Sequence, residues 1–517
     1  MSRVLRSNKS LRRHQSSINY WEHLPPELRI MVFKMVLDPP VEGTKYIQSA
    51  YATVCREWNN FFERETFNHL ILHQSDVPEL GSIVQGQRKT FVKRIWLRLE
   101  LPEYDCESCN KQQSTEEFKD HKFLFTNAVW DLFAFLSTWE NRGEFGVGGR
   151  GVTLELSAHS PSDSKHFCKE LARRSDDTPW ERNEIPEKSY HDLAHGWRNG
   201  VQRHRPRYDA KMRVFGDLKG LKFDLRAPSA RKMNRTLPKV RVIKELIIRR
   251  QFYRAFSVAN ALQPIIKSCT QLQFLSYEVW RGINKKGYSG RATRDIEHHI
   301  LFGDVFKYRQ SLRRVSIFED FTCALHGSKK RVRNPLLGKA LARSSRNFTD
   351  LHAAFNVDAR DFFYAFCPRQ DPKEKKGMEW KNLKCLSLTS RFLNPSGYDR
   401  LIQLAAAAAQ RMPQLECMEI WNGERGRACV FRYQRWVERA RISLLSTWRR
   451  HLGAKARAPW REVASGHGII GDLQEEHVSL DASLIKSHVS VFPHLLLGER
   501  LLQPISLRQM QLETDHR

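Results

Sequence analysis

The chain has 517 residues, 86 Lys and Arg against 57 Asp and Glu, and a formal net charge of +29. Its residues are 41% hydrophobic and 28% charged, a balance that gives buried cores beside long solvated segments and room for several domains or one long repeat array. No apolar run approaches the ~20 residues that cross a bilayer. Residues 1–15 carry no apolar stretch of the secretory kind, and ten cysteines without a framework of short spacings read as reduced thiols of an intracellular protein.

Taken in chain order, residues 1–18 read as a basic flexible tail, with Arg3, Arg6, Lys9, Arg12 and Arg13. From Leu24 the sequence runs LPPELRIMVFKMVL, and Pro25 and Pro26 suit the first turn of a helix. Behind them Leu28, Ile30, Met31, Val32, Phe33, Met35, Val36 and Leu37 make that helix apolar almost all round. A helix apolar on every side has to be covered on every side, and a module of about forty residues buries too little surface to do so alone. Either the rest of the chain or another protein must cover it. Leu24-Pro25-Pro26-Glu27-Leu28 followed by Val54-Cys55-Arg56-Glu57-Trp58 resembles the F-box, here spanning residues 19–66 with a longer inter-helix loop at 38–45. The resemblance implies three helices that dock on the SKP-type adaptor of cullin-based ubiquitin ligases. It places Leu24, Pro25, Leu28, Ile30, Val54 and Trp58 in that contact or in support of it.

Beyond the motif a six-residue pattern recurs: apolar, two variable, apolar, one variable, apolar. Its copies are Phe67/Leu70/Leu72, Val92/Ile95/Leu97, Leu218/Leu221/Phe223, Ile243/Leu246/Ile248, Leu272/Leu275/Tyr277, Leu312/Val315/Ile317, Phe348/Leu351/Ala353, Leu383/Leu386/Leu388 and Leu415/Met418/Ile420, with Phe492/Leu495/Leu497 a distant candidate. Residues 255–269, 296–308, 335–342 and 398–412 carry helical spacing between them. Short apolar strands alternating with helices call for parallel pairing. The expected fold is therefore α/β, with residues 67–425 an irregular leucine-rich-repeat-like αβ solenoid whose strands line one face. An ordinary α/β domain would yield the same pattern. Residues 157–213, rich in Ser, Asp, Arg, His and Gly, are expected as a polar insertion, mobile in part. Residues 426–517 are expected as a basic helical segment (431–452), a Gly- and Ala-containing linker and a C-terminal αβ capping unit (480–505).

Several blocks are similar to a group of filamentous-fungal F-box proteins with a C-terminal region of unknown function. They include Leu136-Ser137-Thr138-Trp139-Glu140, Ser160-Pro161-Ser162-Asp163-Ser164, Ile248-Arg249-Arg250-Gln251 and Ile420-Trp421-Asn422-Gly423-Glu424. The similarity implies one F-box ahead of a leucine-rich-like body, the layout of a substrate receptor. It brings no chemistry with it.

Catalytic signatures do not emerge. The glycine run at 143–151 lacks the Gly-Lys-Ser/Thr ending of a phosphate loop and precedes a strand, not a helix. Cys106-x-x-Cys109 has metal-ligand spacing, but no second Cys-x-x-Cys or His-x-x-x-His completes four ligands, so no metal or other cofactor is expected. Glu319-Asp320 is a candidate acidic pocket. Basic residues cluster at 3–13, 285–294, 329–333 and 425–461 without a nucleic-acid-binding motif. The expectation is a non-catalytic ligase receptor of the cytoplasm or nucleus. The F-box holds the adaptor, and the strand-lined face, with Tyr277, Trp280, Phe318 and Trp421 as candidate contacts, holds a protein target. The alternative is a basic scaffold bound to nucleic acid or chromatin.

Overall fold

The computed structural model describes residues 20–37, 50–141, 151–169, 191–215, 220–282, 289–307, 309–322, 326, 333–365, 379–448 and 451–515. It falls into two units, Met1–Asn68 and His69–Arg517. The basic tail, the loop at 38–45, most of the glycine run and the charged loop at 371–377 lie outside the described residues.

In the first unit, helices Tyr20–His23, Pro26–Leu37 and Arg56–Asn68 surround a cluster of aromatic rings. Phe33 and Phe62 are buried at its centre. Trp21, Tyr51, Trp58 and Phe61 pack around them with ring centroids 4.8–6.0 Å apart. Glu57 ties the helices together, accepting from the Trp21 indole (3.0 Å) and pairing with Arg29 (2.7 Å).

The second unit is mixed α/β around a large, mostly parallel sheet of twelve strands. Its strands are β1 (His69–Leu72), β2 (Arg94–Glu100), β3 (Val152–His159), β6 (Ile243–Ile248), β7 (Phe274–Trp280), β8 (Arg314–Asp320), β9 (Asp350–Ala354), β10 (Cys385–Thr389), β11 (Cys417–Glu424), β12 (Arg427–Arg435), β13 (Ala440–Ser446) and β14 (Gln474–Ser479). They lie side by side in chain order, while β4 (Trp197–Arg198) and β5 (Val201–Gln202) form a separate hairpin. Pairing is parallel from β1 to β11, antiparallel across β12, and parallel again between β13 and β14.

The six-residue pattern is the register of this sheet. Leu70, Ile95, Leu154, Leu246, Leu275, Val315, Leu351, Leu386 and Met418 pair in one continuous row. Ile248, Tyr277, Ile317, Ala353, Leu388 and Ile420 pair in a second. Because side chains alternate across a strand, both rows point to the same face. Helices Ser289–Ile300, Pro335–Ser344 and Tyr398–Ala409 form where helical spacing is expected. A 23-residue helix, Thr115–Ser137, opens on a Ser114–Glu117 capping box.

Four expectations need correction. Leu221 makes an isolated bridge to Phe256 instead of joining the sheet. The described residues of 431–452 are not helical; they supply most of β12 and all of β13, and the supposed linker is helix Ala454–Gly466. The 157–213 segment, outside residues 170–190, is folded: Cys168 packs with Tyr253 and Trp280, and Trp197 and Gln202 donate to the Phe167 carbonyl. The C-terminal stretch adds no αβ unit. After β14 it runs through the turns Ala482–Leu484 and His488–His494 into helices Gly498–Leu501 and Pro504–Asp515.

Candidate functional site

On helix Pro26–Leu37, Leu28, Met31 and Met35 recur at helical spacing and form one stripe. They are 44%, 50% and 67% exposed, with Ile30 (43%) on the same helix and Val54 (61%) just before the next. Pro25 is exposed and Leu24 half-buried. The residues chosen from sequence divide accordingly: Leu28, Ile30, Val54 and Pro25 face outward, whereas Trp58 stacks on Phe62 (5.4 Å) inside the ring cluster and supports the surface from below. Met31 and Met35 are the most exposed part of the stripe. Their spacing from Leu28 was the signal for including them, but an all-round apolar helix hides which side faces out.

The strand-lined face is not a free surface. Trp280, Phe318 and Trp421 do point to that face, opposite the two apolar rows, but all three are buried. Phe318 and Trp421 sit in a core with Leu480, Val489, Val491, Phe492, Leu495, Leu501 and Met510, so the C-terminal segment covers them. Trp280 is covered by Phe215 and Tyr253. Tyr277 points the other way and is wholly buried. None of the four is placed to touch a target.

Polar residues on the same face explain why the cover stays. Ser316 Oγ donates to the Leu501 carbonyl (2.5 Å). Glu278 accepts from Gln503 N–H (2.8 Å), Ser506 Oγ (2.5 Å) and Arg250 N–H (3.1 Å), and burial raises its pKa. Glu419 accepts from the N–H groups of Leu496 and Leu497, both at 2.9 Å. The Glu319-Asp320 pair is therefore no acidic pocket. Glu319 pairs with Arg281 (3.2 Å), and Asp320 holds the fully buried Arg250 (2.5 Å), which also pairs with Glu513 (2.9 Å) beneath the Trp280 ring. Arg249 and Arg94 both pair with the buried Glu155. Part of the basic excess is thus neutralised inside the fold, including Arg432 of the 425–461 cluster, while Arg441 and Arg457 pair with Glu476 and Glu475 near the surface.

The sequence offered no second motif of ligand spacing for Cys106 and Cys109, only His121 or distant cysteines as contributors. The structure brings other partners, and the expectation of no metal loses its premise: His166 and His195 stand beside the two thiols. Cys106, His166 and His195 hold their ligand atoms within 4.8 Å of one another, the only such grouping among the described residues, and Cys109 lies beside it.

Residues 307–503, from the approach to β8 through helix Gly498–Leu501, match a family model described as a family of unknown function (DUF6546). No curated protein matches the chain.

Proposed function

We propose that this chain is the substrate-recognition subunit of an SCF-type cullin-RING ubiquitin ligase. In this reading the first unit is an F-box that holds the SKP-type adaptor, and the second is an irregular leucine-rich-like solenoid that holds a protein target. One observation carries it: the outward stripe of Leu28, Met31 and Met35 on a helix whose other side is anchored by Phe33, with Ile30 and Val54 exposed elsewhere on the same unit. Covering such side chains fully contributes about 1.5–3 kcal/mol each, and roughly half of that remains to be gained here. The subunit performs no bond chemistry. It raises the effective concentration of a target lysine near a thioester carried by another protein.

The test is co-purification of adaptor and cullin with the wild type, with Met31→Glu/Met35→Glu and with Leu24→Ala/Pro25→Ala. Both variants are expected to lose the adaptor while keeping the wild-type circular dichroism. Equal recovery from all three sinks the reading. Binding to nucleic acid that survives these changes and weakens steeply with salt would favour the basic-scaffold alternative.

A further inference from the structure

We propose that Cys106, Cys109, His166 and His195 form a structural zinc site, which clamps the 191–202 segment to the chain leaving β2 and β3. The three segments are each fixed locally. Asp105 caps the turn Cys106–Cys109 through Ser108 N–H. Ser160 and Asp163 cap the turn Pro161–Lys165, which delivers His166. Asp192 caps the turn Leu193–His195, and the β4–β5 hairpin follows it.

Three of the four ligand atoms stand close to the corners that a tetrahedral ion needs. With Zn–S about 2.3 Å and Zn–N about 2.0–2.1 Å, tetrahedral neighbours lie roughly 3.3–3.8 Å apart. Cys106 Sγ is 3.5 Å from His166 Nδ1 and 3.8 Å from His195 Nε2, and the two nitrogens are 3.1 Å apart. Cys109 Sγ is 3.7 Å from His195 Nε2. It donates to the Cys106 carbonyl (3.1 Å) and stands outside the cluster of the other three ligand atoms, so as fourth ligand its side chain would have to reorient when the ion binds.

The outer hydrogen bonds favour a metal site over mere packing. His195 Nδ1 meets Asp192 Oδ2 at 2.7 Å, and His166 Nε2 meets the Tyr104 carbonyl at 3.3 Å. Both partners are acceptors, so each outer nitrogen carries the hydrogen. In the neutral rings, the inner nitrogens then present two lone pairs to each other across 3.1 Å. That arrangement is repulsive unless a proton or a metal ion lies between them, and two thiols at the same point favour the metal. A ligating histidine that donates its other N–H to a carboxylate or carbonyl is what a metal centre requires. Two thiolates and two imidazoles select zinc over magnesium or calcium, and four protein ligands leave no open position for hydrolysis. His166, His195 and Cys109 are buried while Cys106 is exposed, which gives the ion a way in.

Full-length protein purified without chelator should carry one equivalent of zinc by mass spectrometry. Exchange into cobalt should give thiolate-to-metal charge transfer in the near ultraviolet and tetrahedral d–d bands. Cys109→Ser and His195→Ala should lose the ion, whereas His195→Cys, which keeps a soft donor, should retain it. Chelation should raise hydrogen exchange at residues 191–202 and leave β7–β11 protected. Folded wild type that arrives without zinc and gives no cobalt–thiolate bands overturns the proposal. So does metal content unchanged in both Cys109→Ser and His195→Ala.

Discussion

Glu419→Ala is the sharpest test of how the C-terminal segment is held to the sheet. Glu419 is wholly buried on β11; one carboxylate oxygen takes Arg432 Nε (2.8 Å) and Leu496 N–H, the other Leu497 N–H. Removing one partner of a buried ion pair costs about 3–5 kcal/mol, because the other charge is left behind. Leaving a buried N–H without an acceptor costs about 1–3 kcal/mol more. Leu496 is half-exposed and its N–H can turn to water, while Arg432 keeps the His494 carbonyl as an acceptor and some solvent contact. The net loss is therefore about 4–5 kcal/mol. Melting is a poor way to see it: at about 2.1 cal/mol/K per residue, a unit of roughly 450 residues shifts by only about 1 °C per kcal/mol. Native-state hydrogen exchange is better. At about 1.4 kcal/mol per decade, amides of 495–510 should lose protection by roughly a thousandfold while β7–β10 keep theirs. Adding Arg432→Met should restore about 2 kcal/mol by removing the stranded charge. A folded Glu419→Ala protein with unchanged exchange at 495–510 refutes the reasoning.

Gly338→Ala, though it favours helix by about 1 kcal/mol, should destabilise the second unit by about 1–3 kcal/mol in urea. The added Cβ would meet Asp361 C at 2.7 Å and Phe362 N at 2.8 Å; a gain in stability counts against the packing described. His352 is buried on β9 with no partner for either ring nitrogen among the described residues, and burial holds its pKa at about 4 against 6.5. The unfolded chain binds its proton first, so the stability present above pH 6.5 is lost as pH falls toward 4, by up to about 3 kcal/mol. His352→Leu should flatten that fall in denaturant midpoints taken between pH 7 and 4.5, and an unaltered slope would remove His352 as a cause.

What could be read in advance follows from how far apart the interacting residues lie. The parallel rows were legible because every strand must present two apolar residues to the same helical layer at the same register. β3 was expected as a strand behind the glycine run but stayed outside the six-residue pattern, because Gly151 stands where the pattern wants an apolar residue. A Cβ there would sit 2.7 Å from the Val242 carbonyl oxygen, beside the register shift between β3 and β6. β12 and β13 read as helix for a different reason: both of their faces are covered. Phe431 and Tyr433 pack on Trp460, while Val430 and Leu445 lie under the C-terminal segment. A strand buried on both sides has no polar–apolar alternation to betray it. The outward side of helix Pro26–Leu37 was hidden for a related reason, since an all-round apolar helix carries no stripe to orient it.

The Cys-His cluster and the C-terminal cover share one further cause of illegibility. Ser316 and Leu501 are 185 residues apart, and Cys106 and His195 are 89; no local window contains either pair. The polar character of 157–213 then misleads twice. Low aliphatic content is the mark of a segment that cannot bury enough surface to order itself. It is equally the composition of a segment ordered by directional bonds. Here Trp197 and Gln202 both donate to the Phe167 carbonyl, Asp192 takes Lys169 and His195, and Arg254 reaches Asp163. The proposed zinc adds the strongest of such bonds to a segment with few apolar contacts of its own. If that reasoning holds, removing the ion should release 191–202 far more than any single apolar truncation in the same segment, because hydrogen bonds alone contribute only about 1 kcal/mol each against water.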